Sequence, residues 1–215
     1  PGQQARVWKV LVELADQEWN DPTTARLAAQ SWRVVAPDDF DAHARALDLA
    51  LASGDLQAAQ EATAQLERLD GTGLYEGLNT VWPALITLQR TAGADPDLRR
   101  QIEPTLRAAV EQLDQLAQAH PEQAIPAMLS ARILRRLNDN DGAIDAARAA
   151  VERDGAPASV AFLAELLARG RRLGELDQLA LTHPDQAVAI RRLQAEALAA
   201  ANEADRAREL ANQLV

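Results

Sequence analysis

Cysteine is absent from the 215-residue chain. Its absence removes disulfides and thiolate metal ligands together and leaves the redox compartment open. Histidine occurs only at His43, His120 and His183. No two of these stand at helical i, i+4 spacing, and two precede prolines, where a polar helix end is the ordinary explanation, so no catalytic or metal-bound imidazole is expected. Aromatic side chains make up 3% of a chain that is 47% apolar. The apolar content is therefore mostly Ala, Leu and Val, whose spacing and small bulk favour closely packed helices over sheets. Lysine appears once, at Lys9, beside 21 arginines, a bias that fits a GC-rich bacterial genome. No apolar run approaches the roughly 20 residues that cross a bilayer. The opening Pro1-Gly2-Gln3 shows no basic or apolar leader region, and the chain reads as a fragment of a longer bacterial protein of the cytoplasm or the periplasm.

Catalytic signatures are missing as well. There is no Gly-x-Ser-x-Gly and no P-loop. Gly71-x-Gly73-x-x-x-Gly77 has one residue too many for a dinucleotide fingerprint and no strand before it. Asp139-Asn140-Asp141-Gly142 places its glycine two positions too early for a calcium loop, so helix capping is the better account. The chain is expected to be no enzyme and to hold no cofactor or metal. A net charge of −10 and a pI near 4.8 argue against a nucleic-acid surface, which rests on neutralising phosphates. The acid is uneven: residues 1–120 hold 10 basic and 18 acidic side chains, residues 121–215 hold 12 and 14.

What is present is periodicity. From Phe40 to Gly71 the chain reads as one helix-turn-helix unit: Ala46, Leu47, Ala50 and Leu51, then the turn Ser53-Gly54-Asp55, then Ala58, Ala59, Ala62, Leu66 and Leu69. Shifted back by 34 residues, the second half recurs as Asn20-Asp21, Ala25, Ala28, Trp32, Val35 and Pro37. A fixed period of this length marks a helical repeat array. After Gly71 the period breaks, and Gly73, Gly77, Pro83, Gly93, Pro96 and Pro104 predict a lengthened unit of about three helices. These include one over residues 78–91, kinked or starting near Pro83, and one over 96–119, disturbed at Pro104. Regularity returns with a helix over 122–137, and further units span 157–183 and 184–215. A first helix is expected over 4–19, with Val7 or Trp8, Leu11, Val12 and Ala15 inward. Trp8 and Trp32 read as core, while Trp19 and Trp82 read as core or as exposed anchors for a partner.

Gly142-Ala143-Ile144-Asp145-Ala146-Ala147-Arg148-Ala149-Ala150-Val151-Glu152-Arg153-Asp154-Gly155 resembles the second helix of a tetratricopeptide repeat, with a small residue near its start and an alanine pair at mid-helix. Ala131 stands where the family's first helix usually has glycine. The resemblance implies an all-α, right-handed solenoid of about six helix pairs forming one domain over 1–215. Repeats one and two occupy 3–71, the irregular unit 72–120, and repeats four to six 121–215. It also implies that the first helix of each pair lines a concave groove, and that the chain is a protein-interaction scaffold or adaptor.

On that reading Ala127, Ser130, Ala131 and Leu134 of the 122–137 helix face inward, leaving Ile125, Met128, Arg132, Arg135 and Arg136 on the groove. In the next unit Ser159, Phe162, Leu163 and Leu166 pack inward, and Val160, Ala164, Leu167 and Ala168 face the groove. The last first-helix offers Ala189, Arg192 and Glu196. An apolar floor edged by Arg132, Arg135, Arg136 and Arg192 suits a peptide or protein partner with carboxylates and aliphatic side chains. The alternative is a solvated face paired with Glu165 and other acids. Toward the N-terminus, Asp41, Ala44, Asp48 and Leu51 on the equivalent face are expected to prefer basic partners or none. The closing stretch, with Ala207, Leu210, Ala211 and Leu214, has no polar cap, so it is expected to continue into further repeats or to contact a second copy. Two other roles stay open: an assembly segment of a larger envelope- or secretion-associated complex, and regulatory repeats of an enzyme whose catalytic domain lies elsewhere.

Overall fold

The structure, a computed structural model, describes residues 2–19, 21–91, 96–201, 203, 206, 208 and 210. All elements among them are helical, and the chain divides into two compact units, residues 1–112 and 113–215.

The first unit opens with α1 (Gly2–Glu13), which runs into a π-helical turn over Leu14–Glu18. It continues with α2 (Pro22–Val35), α3 (Phe40–Ser53), α4 (Leu56–Asp70), α5 (Leu74–Leu78) and α6 (Trp82–Arg90). The caps follow from the sequence. Asp21 accepts from the amides of Thr23 and Thr24 and from the Thr24 hydroxyl at 2.6 Å, and these bonds hold its carboxyl below the usual carboxylate range. Pro22 sits where its missing N–H costs nothing. Asp39 accepts from Asp41 N and from Trp32 Nε1, tying α2 to the start of α3. Alanines at the contact let α1, α2 and α3 close on a core of Val12, Ala15, Ala25, Ala28, Ala29, Trp32, Ala42 and Leu49. Trp8 and Leu11 pack at its edge, whereas Val7 is 64% exposed.

The irregular stretch forms three helices: α5, α6 opening at Trp82-Pro83, and α7 (Pro96–Ala119), with Pro104 inside it. Trp82 is 1% exposed and donates through Nε1 to the Thr63 hydroxyl at 2.8 Å, which donates on to the Ala59 carbonyl at 2.7 Å. It is therefore core. Trp19, at 56% exposure, is on the surface.

The second unit takes the end of α7, then α8 (Ile125–Arg136), α9 (Asn140–Asp154), α10 (Pro157–Arg169), α11 (Leu173–Thr182) and α12 (Ala187–Ala200). Helix α8 begins three residues later than expected, with Pro126 in its first turn. Asp139 caps α9 by accepting from Gly142 N at 3.0 Å. Of the expected closing helix, residues 206, 208 and 210 are described and helical; Ala207, Ala211 and Leu214 lie outside the described residues.

One turn recurs in both units. At Gly54, Asn138 and Arg171 the backbone is left-handed, with φ of 72°, 61° and 55°. In each case the following amide reaches back five residues: Asp55 to Ala50, Asp139 to Leu134 and Arg172 to Leu167, at 2.9–3.0 Å. This closes the first helix of a pair and aims the chain into the second. Gly54 takes the conformation without cost, while Asn138 and Arg171 hold it against Cβ sterics.

A second device starts α5. Glu67 accepts from the amides of Gly73, Tyr75 and Glu76 at 2.7, 3.0 and 3.2 Å, so one carboxylate satisfies the donors that open a new helix. Replacing it by alanine strands three amides. We expect Glu67→Ala to lower the stability of the first unit by about 2 kcal/mol in urea unfolding, with faster hydrogen exchange at those amides.

Candidate partner-binding face

The helices α8, α10 and α12 are the first members of successive pairs, and their side chains decide what the second unit presents. Helix α8 turns Ala127, Ser130, Ala131 and Ile133 inward. Ile125 and Met128 are half-buried, Met128 against Ala124, Ala127 and Ala150. Arg132 and Arg136 are exposed, and Arg135 is half-buried.

The expected groove positions on α10 require correction. Val160, Ala164 and Leu167 are 0%, 0% and 2% exposed, in one core with Ala131, Ala143, Ile144 and Leu176. The physical reason is that α10 packs against α9, α11 and α12, so it is covered on three sides. The apolar arc of α10 is wider than one helix face, so residues read from spacing as facing the groove fall inside the core. Its exposed stripe is Ala158, Ala161, Glu165 and Arg169, with Phe162 and Ala168 at the margin. On α12, Arg192 is exposed and bonds Glu196 at 3.0 Å.

The arginines of α8 and α10 converge. The Arg135 guanidinium lies over the Phe162 ring, 4.9 Å from its centroid, and 3.8 Å from the Glu165 carboxylate. Burial lowers the Arg135 pKa and the Arg169 charge lowers it further; Glu165 opposes them, and Arg136 and Arg132 add to the lowering. Arg135 stays protonated at neutral pH, and the lowering comes first from burial and then from neighbouring positive charge. Among the described residues, Arg132, Arg136 and Arg169 form no ion pair, and all three act on Arg135 as like charges. Beside them a cleft of about 500 Å³ opens between α10 and α12, walled by Glu165, Ala168, Arg169, Leu193, Glu196 and Ala197.

Arg169 escaped the sequence reading because it ends a helix read by its apolar residues. The signal available was its i, i+4 spacing from Glu165 and the Arg-Gly-Arg-Arg run that begins with it. No described group of histidine, aspartate and glutamate residues could hold a metal ion, and no described helix is long and apolar enough to cross a membrane.

No family model matches the sequence, and no curated protein does. Among solved structures, the fold is similar to that of a thermophilic TPR protein of Thermus thermophilus. The TM-score is 0.56 at 19% identity, over 99% of this chain and 98% of that one. The chain thus has the fold of a tetratricopeptide-type helical solenoid.

The two sides of α10 should respond oppositely to the same substitution. Ala164→Leu forces bulk into a filled core and is expected to cost about 2 kcal/mol. Ala161→Leu, on the exposed stripe, should leave the unfolding midpoint nearly unchanged. Equal effects in paired denaturant titrations would put both residues on one kind of surface.

Proposed function

We propose that the protein is a helical-repeat adaptor. On this reading the first-helix face of its second unit holds a peptide segment of a protein partner that carries carboxylates and aliphatic side chains. The observation that supports this most is the set of unpaired arginines, Arg132, Arg136 and Arg169, gathered around Arg135 in a chain with acid in excess. An isolated guanidinium on a surface is commonplace, but several held together repel one another and are relieved by a bound anion. Arginine grips a carboxylate with two parallel hydrogen bonds, and the Arg135–Phe162 stack holds one such fork in place. Ala168, Leu193 and Ala197 give aliphatic groups a shallow floor. Ile125, Met128 and Arg192 edge this surface, and Val160, Ala164 and Leu167 support it from beneath. The chain carries no catalytic step in this role.

A second reading, assembly through the ends, draws on α1. There Val7 and Val10 are 64% and 52% exposed, and Leu14 continues their stripe at 38%. Stacking of another helical unit would cover that face.

Selection from a random peptide display library tests the first reading. Wild-type protein should enrich peptides with Asp or Glu beside Leu, Ile or Val, and the Arg132→Glu/Arg136→Glu/Arg169→Glu variant should lose that enrichment. Enrichment without acidic residues, or enrichment that survives the charge reversal, would overturn it. Arg135 is left in place in that variant because its packing on Phe162 supports the fold.

A further inference from the structure

The first unit carries its own basic groove, on a different set of helices. Helices α2 and α4 flank α3 on either side, and α3 forms a floor between them. Two adjoining clefts lie along this channel. One of about 220 Å³ is lined from α2 by Arg26, Gln30 and Arg33 and from α3 by Ala46, Leu49 and Ala50. The other, of about 360 Å³, is lined by Gln30, Arg33, Val34, Pro37, His43, Gln65 and Arg68. Gln30 and Arg33 belong to both, so the two form one track.

The chemistry of that track is one-sided. Asp55 is the sole acid on either lining, and its carboxylate is occupied as the cap of α4, accepting from Ala58 N at 3.0 Å. Arg26 and Arg33 form no ion pair among the described residues, although the half of the chain that holds them has 18 acids against 10 bases. Arg33 also buries its Nε without an acceptor. Arg68 has one long contact, 3.4 Å to Asp38, with both side chains exposed, a pair that exchanges readily for a better acceptor. His43 donates through Nε2 to the Pro37 carbonyl at 2.8 Å, which fixes the ring in the lining of the track. Val34, 80% exposed, supplies an apolar rim.

We propose that this α2–α4 groove is a second binding site, for an extended acidic peptide segment. Arg26 and Arg33 are seven residues apart on one helix, roughly 10 Å along its axis. An extended chain of polyproline II form advances about 3.1 Å per residue with three residues per turn, so carboxylates three residues apart share one side and reach both arginines. Arg68, across the groove from Arg33, closes on the second carboxylate. Gln30 and Gln65, which line the track, offer their side-chain amides to an extended backbone. The α3 face with Asp41, Ala44, Asp48 and Leu51 predicts basic partners or none for this end of the chain; the α2–α4 groove presents the opposite charge. The site does not depend on the reading of the second unit.

The test uses the full chain and the acetylated, amidated hexapeptide Gly-Glu-Val-Thr-Glu-Gly, with its Glu-to-Gln counterpart as control. In amide NMR titrations at low salt, the acidic peptide should shift Gln30, Ala46 and Ala50, and the control should not. Arg26→Gln/Arg33→Gln should weaken binding at least tenfold while leaving the circular dichroism unchanged. Inorganic phosphate should produce weaker shifts at Arg33 alone. Shifts confined to residues 132–136 and 165–171, equal binding of the control, or undiminished affinity in the double variant would each overturn the proposal. Peptide shifts at both faces would support both sites, and shifts at the α2–α4 groove alone would uphold this site while the other reading fails.

Discussion

The structure depends on how closely its helices approach, and alanine sets that distance. Ala25 and Ala28 in α2, Ala59 and Ala62 in α4, and Ala143 and Ala147 in α9 are all at most 1% exposed. Each stands on the second helix of a pair, at the contact with the first. A methyl at these positions lets two backbones come within the short end of the usual interhelical range. The larger residues, Leu66, Ile133, Ile144 and Leu163, then fill the spaces beside the contact. Close approach fixes each pair, and within a compact unit successive pairs stack because each leaves an apolar side uncovered.

Turn chemistry makes the pairs alike. A left-handed residue followed by an amide reaching back five positions ends the first helix at Gly54, Asn138 and Arg171. The next residue is a capping aspartate at Asp55 and Asp139. At Arg172 that role changes hands: its guanidinium bonds Glu175 and Asp141, so a side-chain bridge to the preceding pair stands where the cap would be. A left-handed arginine is costlier than a left-handed glycine. At Arg171 that cost accompanies a place on the wall of the α10–α12 cleft, where a glycine would present no charge.

Local signals made most of the fold readable from the chain. Small residues at 34-residue intervals located α2 and α4, Asp-Pro and Asp-Gly pairs located their ends, and the prolines at 83 and 96 marked the starts of α6 and α7. Facing was harder, because it depends on how many neighbours a helix has. In α8 the resemblance chose the inward side, and Ala127, Ser130 and Ala131 are buried there, while Leu129 and Ile133 are buried beyond the arc that reading gave. In α10 three neighbours cover Val160, Ala164 and Leu167 as well, and no periodicity in thirteen residues rich in Ala, Leu and Val distinguishes those coverings. Trp82 was ambiguous for the same reason: its hydrogen bond to Thr63 joins residues 19 apart, beyond the reach of helical spacing.

Charge supplies what apolar pattern does not. A chain with 32 acids and 22 bases has ample acid to pair every arginine, and many are paired: Arg45 with Asp16, Arg107 with Glu103, Arg148 with Glu175, Arg172 with Asp141. Among the described residues other arginines form no ion pair, and five of them fall in two places. Arg132, Arg136 and Arg169 share one face of the second unit, and Arg26 and Arg33 share one groove of the first. Exposed pairs contribute little to stability, so their absence costs the fold almost nothing, whereas a guanidinium held without a counter-ion beside an apolar floor is free to bind one from outside. The same weakness of surface ion pairs makes them dispensable for folding, so an acidic protein can leave guanidinium groups without a partner at little cost to its stability.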